Sequence, residues 1–215
     1  SEDFKSRATT NTNPKQALVC LLSEKILKDL QSLSVRLISC GFEHCAAVTQ
    51  NGKVFTWGYG ASGCLGHGDT STYSSPTEVT SISNVAYLEC GGYHNAAVTE
   101  EGELYTWGVG RDFALGHGDK REQRTPKKVE DLSNTKIIKV ACGRNFVVAL
   151  DEKGNLYSWG NNDNGQLGVS ATDKFKDKPQ KIKVLRNVVD IAAGDFHVVA
   201  GNSKGQAYSW GSGGE

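Results

Sequence analysis

One pattern recurs four times along this chain and constrains its fold more than any other feature of the sequence. The copies share a tryptophan followed by glycine, at intervals of 50, 52 and 51 residues: Trp57, Trp107, Trp159 and Trp210. They also share an earlier glycine, here called the leading glycine, at the same intervals: Gly41, Gly91, Gly143 and Gly194. Two landmarks with one spacing indicate a structural repeat.

Each copy has the same internal plan of short strands. A run rich in β-forming residues, such as Val85 to Cys90 or Val188 to Ala193, precedes the leading glycine and predicts a buried strand. A second strand follows, as at His44 to Thr49, and a third carries the tryptophan, as at Val54 to Trp57. The turn between them ends in a glycine in every copy: Gly52, Gly102, Gly154 and Gly205. A hairpin commonly needs a positive φ at such a position, and glycine supplies it.

A fourth strand is expected after the glycine-rich loop that follows the tryptophan. A proline begins this stretch in the first three copies, at Pro76, Pro126 and Pro179. Proline cannot donate a hydrogen bond to a central ladder, so it predicts an edge strand or the start of a strand.

Four short antiparallel strands cannot bury both of their faces alone. Radial stacking of the copies buries them, and this predicts an all-β fold, a β-propeller with one blade of about 50 residues per copy. A solenoid of stacked hairpins is the alternative. The predicted blades cover residues 34–83, 84–135 and 136–186, and a truncated blade covers 187–215.

Residues 1–26 are expected to form an extension that is partly disordered or helical. Leu27 to Leu30 precede Gly41 by the same distance as Val129 to Leu132 precede Gly143. We therefore include residues from 27 onward in the propeller repeats, as the tail of an earlier, incomplete copy. A free-standing helix is the alternative.

Composition limits the classes of function. Lysine and arginine total 24 and are balanced by 24 aspartate and glutamate residues, so net charge does not indicate nucleic acid or an acidic membrane as a partner.

Three of six cysteines stand directly before the leading glycine, where the fourth copy has Ala193. This position therefore predicts a small buried residue and not a disulfide. We expect an intracellular protein of the cytoplasm or nucleus. The lack of methionine and the shortened fourth copy suggest a fragment of a longer protein.

The repeat resembles the regulator of chromosome condensation repeat. The shared pattern is C-G-x-x-H-x-x-A-[VL]-T-x-x-G-x-[VL]-[YF]-[ST]-W-G followed by G-x-L-G, and it covers about residues 34 to 215. The resemblance implies a seven-bladed propeller, of which this chain contains only part. Three residues depart from the pattern: Phe146 replaces histidine, Ala193 replaces cysteine, and Gly201 replaces valine or leucine.

Motifs that would indicate catalysis or a cofactor are weak. Gly58 to Gly63 match G-x-G-x-x-G, but the residues that follow do not predict the helix that a dinucleotide site requires. The histidines occupy repeat positions and lack compact metal-ligand spacing: His44, His94 and His197 at one position, His67 and His117 at another. The nucleophile candidates, Cys45, Cys64 and Ser62, have no supporting motif. We therefore expect neither enzyme activity nor a cofactor nor a metal.

The copies differ most in the charge of the stretch that leads to the fourth strand. It is nearly neutral in copy one but basic in copy two, at Lys120, Arg121, Arg124, Lys127 and Lys128. It is also basic in copy three, at Lys174, Lys176, Lys178, Lys181 and Lys183. The residues that we select as partner contacts, called the basic arc below, are Lys120, Arg121, Arg124, Lys174, Lys176 and Lys178. They predict a docking surface for an acidic partner, whereas the alternative is an ordinary solvated surface.

The favoured function is therefore a non-catalytic scaffold that binds other proteins, as part of a larger protein or complex. The resemblance implies two further hypotheses. One is a guanine nucleotide exchange factor for a small GTPase, and the other is a propeller that recruits substrates to a ubiquitin ligase. The resemblance implies that exchange activity uses a wedge-like loop inserted outside the repeat pattern. No such insertion appears between the copies here, where the spacings vary by only two residues.

Overall fold

The structure is a computed structural model that describes residues 28–170 and 172–213. This part of the chain contains fifteen strands in four antiparallel sheets. The first sheet comprises β1 Val35–Cys40, β2 His44–Thr49, β3 Val54–Gly58 and β4 Tyr73–Glu78. The second comprises β5 Val85–Cys90, β6 His94–Thr99, β7 Leu104–Gly108 and β8 Gln123–Lys128. The third comprises β9 Ile137–Cys142, β10 Phe146–Asp151, β11 Leu156–Asn161 and β12 Phe175–Ile182. The last comprises β13 Val188–Ala193, β14 His197–Asn202 and β15 Ala207–Gly211.

In every sheet the strands lie side by side in chain order. The first strands β1, β5, β9 and β13 contact one another in sequence, so they form the inner layer and the later strands lie progressively outward. This radial arrangement confirms the all-β propeller and excludes the hairpin solenoid for the described residues. The predicted strands at residues 85–90, 188–193 and 44–49 have the expected limits.

The turn and edge predictions can be checked strand by strand. Gly52, Gly102, Gly154 and Gly205 have φ values of 75°, 87°, 77° and 77°, as the hairpin turns require. Pro76, Pro126 and Pro179 lie on β4, β8 and β12, the outermost strands, which confirms the prediction of an edge strand. The alternative of a strand start is wrong, because the prolines lie inside these strands with residues of the same strand before them.

The leading glycine is explained by a ring that occupies the place of its side chain. A Cβ at Gly41 would overlap the imidazole of His44, and one at Gly143 would overlap the ring of Phe146. In the first three copies, the residue after the leading glycine donates a backbone hydrogen bond to the next blade. Phe42 N donates to Gly92 O at 3.0 Å, and Arg144 N donates to Asp195 O at 3.1 Å. The glycine therefore permits both the ring packing and the backbone contact between blades.

Trp107, Trp159 and Trp210 each pack on the loop of the preceding blade. Trp159 is fully buried, and its Nε1 donates to Ala114 O at 2.9 Å. Gly116 has a φ of 74°, and a Cβ there would lie 2.7 Å from that Nε1. The tryptophan and the G-x-L-G segment are thus two halves of one junction between neighbouring blades.

The cysteine prediction is correct for two of its three positions. Cys90 and Cys142 are buried, at 6% and 8% exposure. Cys40 is exposed, because no described blade packs against that face of the first sheet. No disulfide links Cys40 to Cys45 across β1 and β2, although their Sγ atoms lie 3.4 Å apart.

The proposed N-terminal extension, residues 1–26, lies outside the described residues. Residues 28–32 form a short helical turn before β1. Glu130–Leu132, at the corresponding place before the leading glycine of the third copy, also form a short helical turn. Helical turns at both places agree with the predicted correspondence of Leu30 and Leu132, and the assignment of 27–30 to an earlier copy stays a prediction.

Candidate protein-interaction site

The corners after the leading glycines and the loops after the tryptophans share one face of the propeller, because both connect strands at the same end of each sheet. We call it the tryptophan-loop face. In the second and third blades, the loops on it run from residue 109 to 122 and from 162 to 174. Loops on a rigid scaffold commonly bind partners, so this face is the candidate interaction surface.

The basic arc begins on this face and continues down the outermost strands. Lys120, Arg121 and Lys174 lie in the loops, whereas Arg124 lies on β8. Lys176 and Lys178 lie on β12. The structure therefore brings these six residues to adjacent blades.

Four of the six charges are paired within the protein. Arg121 Nη2 lies 2.6 Å from Asp119 Oδ2, and Arg124 Nη2 lies 2.5 Å from Glu122 Oε1. Lys176 and Lys178 form ion pairs with Asp173, at 2.7 Å, and with Asp131, at 3.3 Å. The field of the arc is consequently weaker than the sequence predicts, since carboxylates stand within contact of most of its cations.

The pKa values follow these pairs. Hydrogen bonds from Arg121 hold the pKa of the Asp119 carboxyl below its usual value. The same contact raises the pKa of Arg121. Both groups stay charged at neutral pH, so the pair persists there.

Lys120 and Lys174 form no ion pair with any residue of the described part of the chain. The ammonium of Lys120 instead lies 4.8 Å from the centre of the Phe113 ring. Phe113 stacks on Phe175, with 4.6 Å between ring centres. Sequence reasoning missed this aromatic pair, although one signal was present: copy two has phenylalanine where copies one and three have the first glycine of G-x-L-G.

A second group of rings lies nearer the centre of the same face, on the corners after the leading glycines. The Phe42 and Tyr93 rings meet edge to face at 5.5 Å. The Arg144 guanidinium lies 5.5 Å from the centre of Phe42 and 5.8 Å from that of Phe196. Gly92 lies between these residues, and a Cβ there would lie 3.3 Å from the Phe42 ring. A side chain at Gly92 would crowd these residues, so the glycine permits their contact.

Two histidines of the first repeat position, His44 and His94, are buried between blades, whereas His197 is exposed. His44 Nε2 is 2.9 Å from Asn95 Oδ1 of the next blade, and burial lowers the pKa of His44. Burial also lowers the pKa of His94, to about 4. At neutral pH both rings are uncharged parts of the blade junctions.

The histidines of the second position hold the loop after the tryptophan. His67 Nε2 lies 2.9 Å from Thr56 Oγ1, and His117 Nε2 lies 3.0 Å from Thr106 Oγ1. Thr56 Oγ1 also donates to Leu65 O, at 2.6 Å. Residues 28–170 and 172–213 contain no cluster of three side chains able to hold a metal ion.

The candidate nucleophiles have environments that do not activate them. Burial raises the pKa of Cys45 to about 12 and that of Cys64 to about 11, so both thiols are protonated at neutral pH. Ser62 lies in a three-residue 3₁₀ turn, Ala61–Gly63, which is all that follows the first glycines of the G-x-G-x-x-G segment. That turn is too short to supply the helix N-terminus of a dinucleotide site.

The chain matches the family described as the regulator of chromosome condensation (RCC1) repeat over residues 51–98, 101–150 and 153–200. A second description of the same repeat matches residues 35–64, 85–113, 137–166 and 188–215. These matches cover most of the chain.

Two curated relatives and one solved structure illustrate the similarity. The human E3 ubiquitin-protein ligase HERC2 is 36% identical over 193 residues, which are 87% of this chain and 4% of that protein. The ultraviolet-B receptor UVR8 of Arabidopsis thaliana is 35% identical over 87% of this chain and 32% of its own length. The crystal structure of Prp20p from Saccharomyces cerevisiae, determined with its binding properties to Gsp1p and histones, is 27% identical. It matches with a TM-score of 0.73 over 83% of this chain and 44% of that one.

The chain thus spans less than half the length of each of these relatives. Within the described residues, no helix has both the length and the hydropathy needed to cross a membrane.

Proposed function

Because this chain belongs to the family of regulator of chromosome condensation (RCC1) repeats, we propose that it is a non-catalytic, protein-binding part of a larger protein. In this proposal the basic arc docks an acidic surface of the partner protein. One observation carries the proposal: the loops of the second and third blades place charged and aromatic side chains together on one face of a rigid scaffold.

The roles of the histidines at the blade junctions and loops support a scaffold. His44 and His94 serve the junctions between blades, and His67 and His117 fasten loops. These groups are occupied by packing and hydrogen bonds, whereas an acid–base catalyst must reach a substrate.

Charge reversal tests the docking surface. Glutamate substitutions at Lys120, Arg121, Lys174 and Lys176 should weaken partner binding strongly and reduce its dependence on salt. The measurement is quantitative affinity purification from cell extract, compared at low and high salt. Unchanged recovery of every partner would refute the role of the arc.

The opposite face of the propeller offers a matched control. It carries two lysines with an ion pair, Lys53 and Lys136, and two exposed lysines without one among the described residues, Lys153 and Lys204. The reversed arc likewise combines two paired and two unpaired cations. Reversal of the control set should leave partner binding intact, because it changes the same net charge on the other face.

Recruitment of substrates to a ubiquitin ligase is the second candidate, and the 36% identity to HERC2 favours it. The identity covers only 4% of that protein, so the ligase activity itself would belong to another part of the protein. In this case the proteins that depend on the basic arc for recovery should gain ubiquitin when the whole protein is expressed. The charge-reversed variant should abolish that gain.

Guanine nucleotide exchange is the third candidate, and it rests on the similarity to Prp20p, whose binding to Gsp1p has been examined. We expect that addition of this chain to Gsp1p loaded with labelled GDP does not accelerate the release of GDP. Faster release of GDP would replace the scaffold proposal with an exchange factor.

A further inference from the structure

Phe113 has a backbone conformation that phenylalanine seldom adopts. Its φ is 64°, and the preceding Asp112 has a φ of 53°. Gly63 and Gly165 occupy the corresponding position in the first and third blades, with φ values of 71° and 73°. Left-handed backbone costs a residue with a Cβ more than it costs glycine. The second blade therefore keeps a strained phenylalanine where its neighbours use glycine, and such strain often marks a functional position.

Phe113 forms part of an aromatic surface on the rim of the tryptophan-loop face. Phe113, from the second blade, stacks on Phe175, the first residue of β12 in the third blade, with an interplanar angle of 28°. Phe175 remains 47% exposed. Lys120 Nζ lies 4.8 Å from one ring centre and 5.7 Å from the other. The pair thus combines accessible ring surface with a cation above it.

The charges around the two rings are unequal in their availability. Arg111, Lys120 and Lys174 are exposed, and none forms an ion pair with the described residues. Among the nearby carboxylates, Asp119 pairs with Arg121 and Asp173 with Lys176, while Asp112 accepts a hydrogen bond from the Asn145 amide. Lys120 therefore lies over the aromatic pair, and the exposed Arg111 and Lys174 are close to Phe113 and Phe175 in the sequence.

We propose that Phe113 and Phe175 form the anchor of a docking site for an acidic protein segment that carries one aromatic side chain. The aromatic side chain of the segment packs on the exposed Phe175 ring beside the half-buried Phe113 ring, and its carboxylates meet Arg111, Lys120 and Lys174. Aromatic and arginine contacts commonly supply most of the free energy of a protein interface, and complementary charges add specificity. The inference rests on the proposed protein-binding function and locates its centre within the basic arc.

The repeat itself supplies the decisive variant. Phe113→Gly restores the residue of the first and third blades at the same backbone conformation, so the chain should unfold at an unchanged or higher temperature. If the phenylalanine serves binding, the variant should nevertheless lose affinity. Ordinary packing between blades would give the opposite result, a lower unfolding temperature with affinity unchanged.

The probe is a short fluorescein-labelled peptide in which glutamates flank a single tryptophan, titrated with the full 215-residue chain by fluorescence polarisation. Phe113→Gly should weaken its binding by about 30-fold, the loss typical of a central interface residue. Phe175→Ser should act similarly. Lys120→Gln with Lys174→Gln should weaken binding mainly at low salt.

Tyr59→Ala is the matched control, because Tyr59 is an aromatic residue 50% exposed on the same face of the first blade. It should not change the affinity. A peptide with lysine in place of glutamate, or serine in place of tryptophan, should bind at least tenfold more weakly.

Several results would overturn the site: no binding of the acidic peptide, equal binding of the lysine peptide, or equal affinity of Phe113→Gly and the unaltered chain. If the peptide result is negative but partner recovery still depends on the basic arc, only the aromatic anchor is refuted. If both fail, the proposed function fails with it.

Discussion

The junction between the first and second blades and the junction between the second and third arise from one repeat but pair their buried polar groups differently. At the second junction, Trp159 Nε1 donates to Ala114 O at 2.9 Å. At the first junction the corresponding Trp107 Nε1 has no hydrogen-bond partner. The carbonyl that it would use, Cys64 O, accepts from Asn95 Nδ2 at 2.6 Å.

Asn95 causes the difference. The third blade has Val147 at this position, and both side chains are fully buried. The amide of Asn95 also meets His44 Nε2, at 2.9 Å, whereas His94 Nε2 at the second junction has no partner. The first junction thus has two unpaired buried nitrogens, His44 Nδ1 and Trp107 Nε1, whereas the second has one, His94 Nε2. The repeat determines the packing at a junction but not the route of its hydrogen bonds.

The largest expected effect contrasts the two tryptophans. Trp159→Phe removes ring volume and leaves Ala114 O without its donor, and should lower the free energy of unfolding by about 3–4 kcal/mol. Trp107→Phe removes similar volume but also an unpaired N–H, so its cost should be about 2 kcal/mol smaller. Urea unfolding of the two variants measures the difference. Equal losses would show that Trp107 Nε1 is satisfied in solution.

The second effect is acid sensitivity at the buried His94. Burial lowers the pKa of His94 from 6.5 to about 4, so the unfolded chain binds the proton more strongly than the folded chain does. The free energy of unfolding should therefore have its full value above pH 6.5. It should fall by up to about 3 kcal/mol as the pH decreases towards 4.

His94→Phe copies Phe146 of the third blade and should remove the contribution of His94 to this fall. His44, His67 and His117, whose pKa values burial also lowers, remain in the variant and keep their own contributions. The measurement is urea unfolding between neutral pH and pH 4. An unchanged fall would mean that His94 does not carry it.

The propeller could be predicted from the sequence because its determinants are local or periodic. Hairpin glycines and edge prolines depend on backbone geometry that one copy already specifies, and four copies repeat it. The ion pairs of the basic arc were harder to predict from the sequence. Asp119 and Asp173 are close in sequence to Arg121 and Lys176, but contact depends on the direction of each side chain in its loop.

The polar rearrangement at the first junction and the aromatic pair could not be predicted from one copy at a time. Each joins residues of different blades: Asn95 with His44 and Cys64 O, Phe113 with Phe175. The available signal is a departure from the repeat, an asparagine among apolar residues or a phenylalanine among glycines. Such a departure indicates where to look, while the partner depends on how neighbouring blades pack.

A substitution that gives the first junction the residue of the second should have an effect of intermediate size on the free energy of unfolding. Asn95→Val should lower the free energy of unfolding by about 2 kcal/mol, since His44 Nε2 loses its partner while Cys64 O becomes available to Trp107. Trp107→Phe in the Asn95→Val background should then cost as much as Trp159→Phe does. A double-mutant cycle by urea unfolding measures this coupling. Simple additivity would exclude the exchange of donors at Cys64 O.

The smallest expected effect concerns the outer rim, where the junctions also differ. Arg124, over Gly63 at the first junction, pairs with Glu122 of its own blade, whereas Lys178 pairs with Asp131 of the preceding blade across the second. The Lys178 side chain is 52% exposed, and its stem covers Gly118. Lys178→Met keeps the stem and removes the charge, so the free energy of unfolding should change by less than about 1 kcal/mol. High salt should remove the difference, because it screens an exposed pair. A larger loss that persists in salt would mean that Lys178 stabilises the second junction through more than its charge, and the rim would then distinguish the junctions as strongly as Asn95 does.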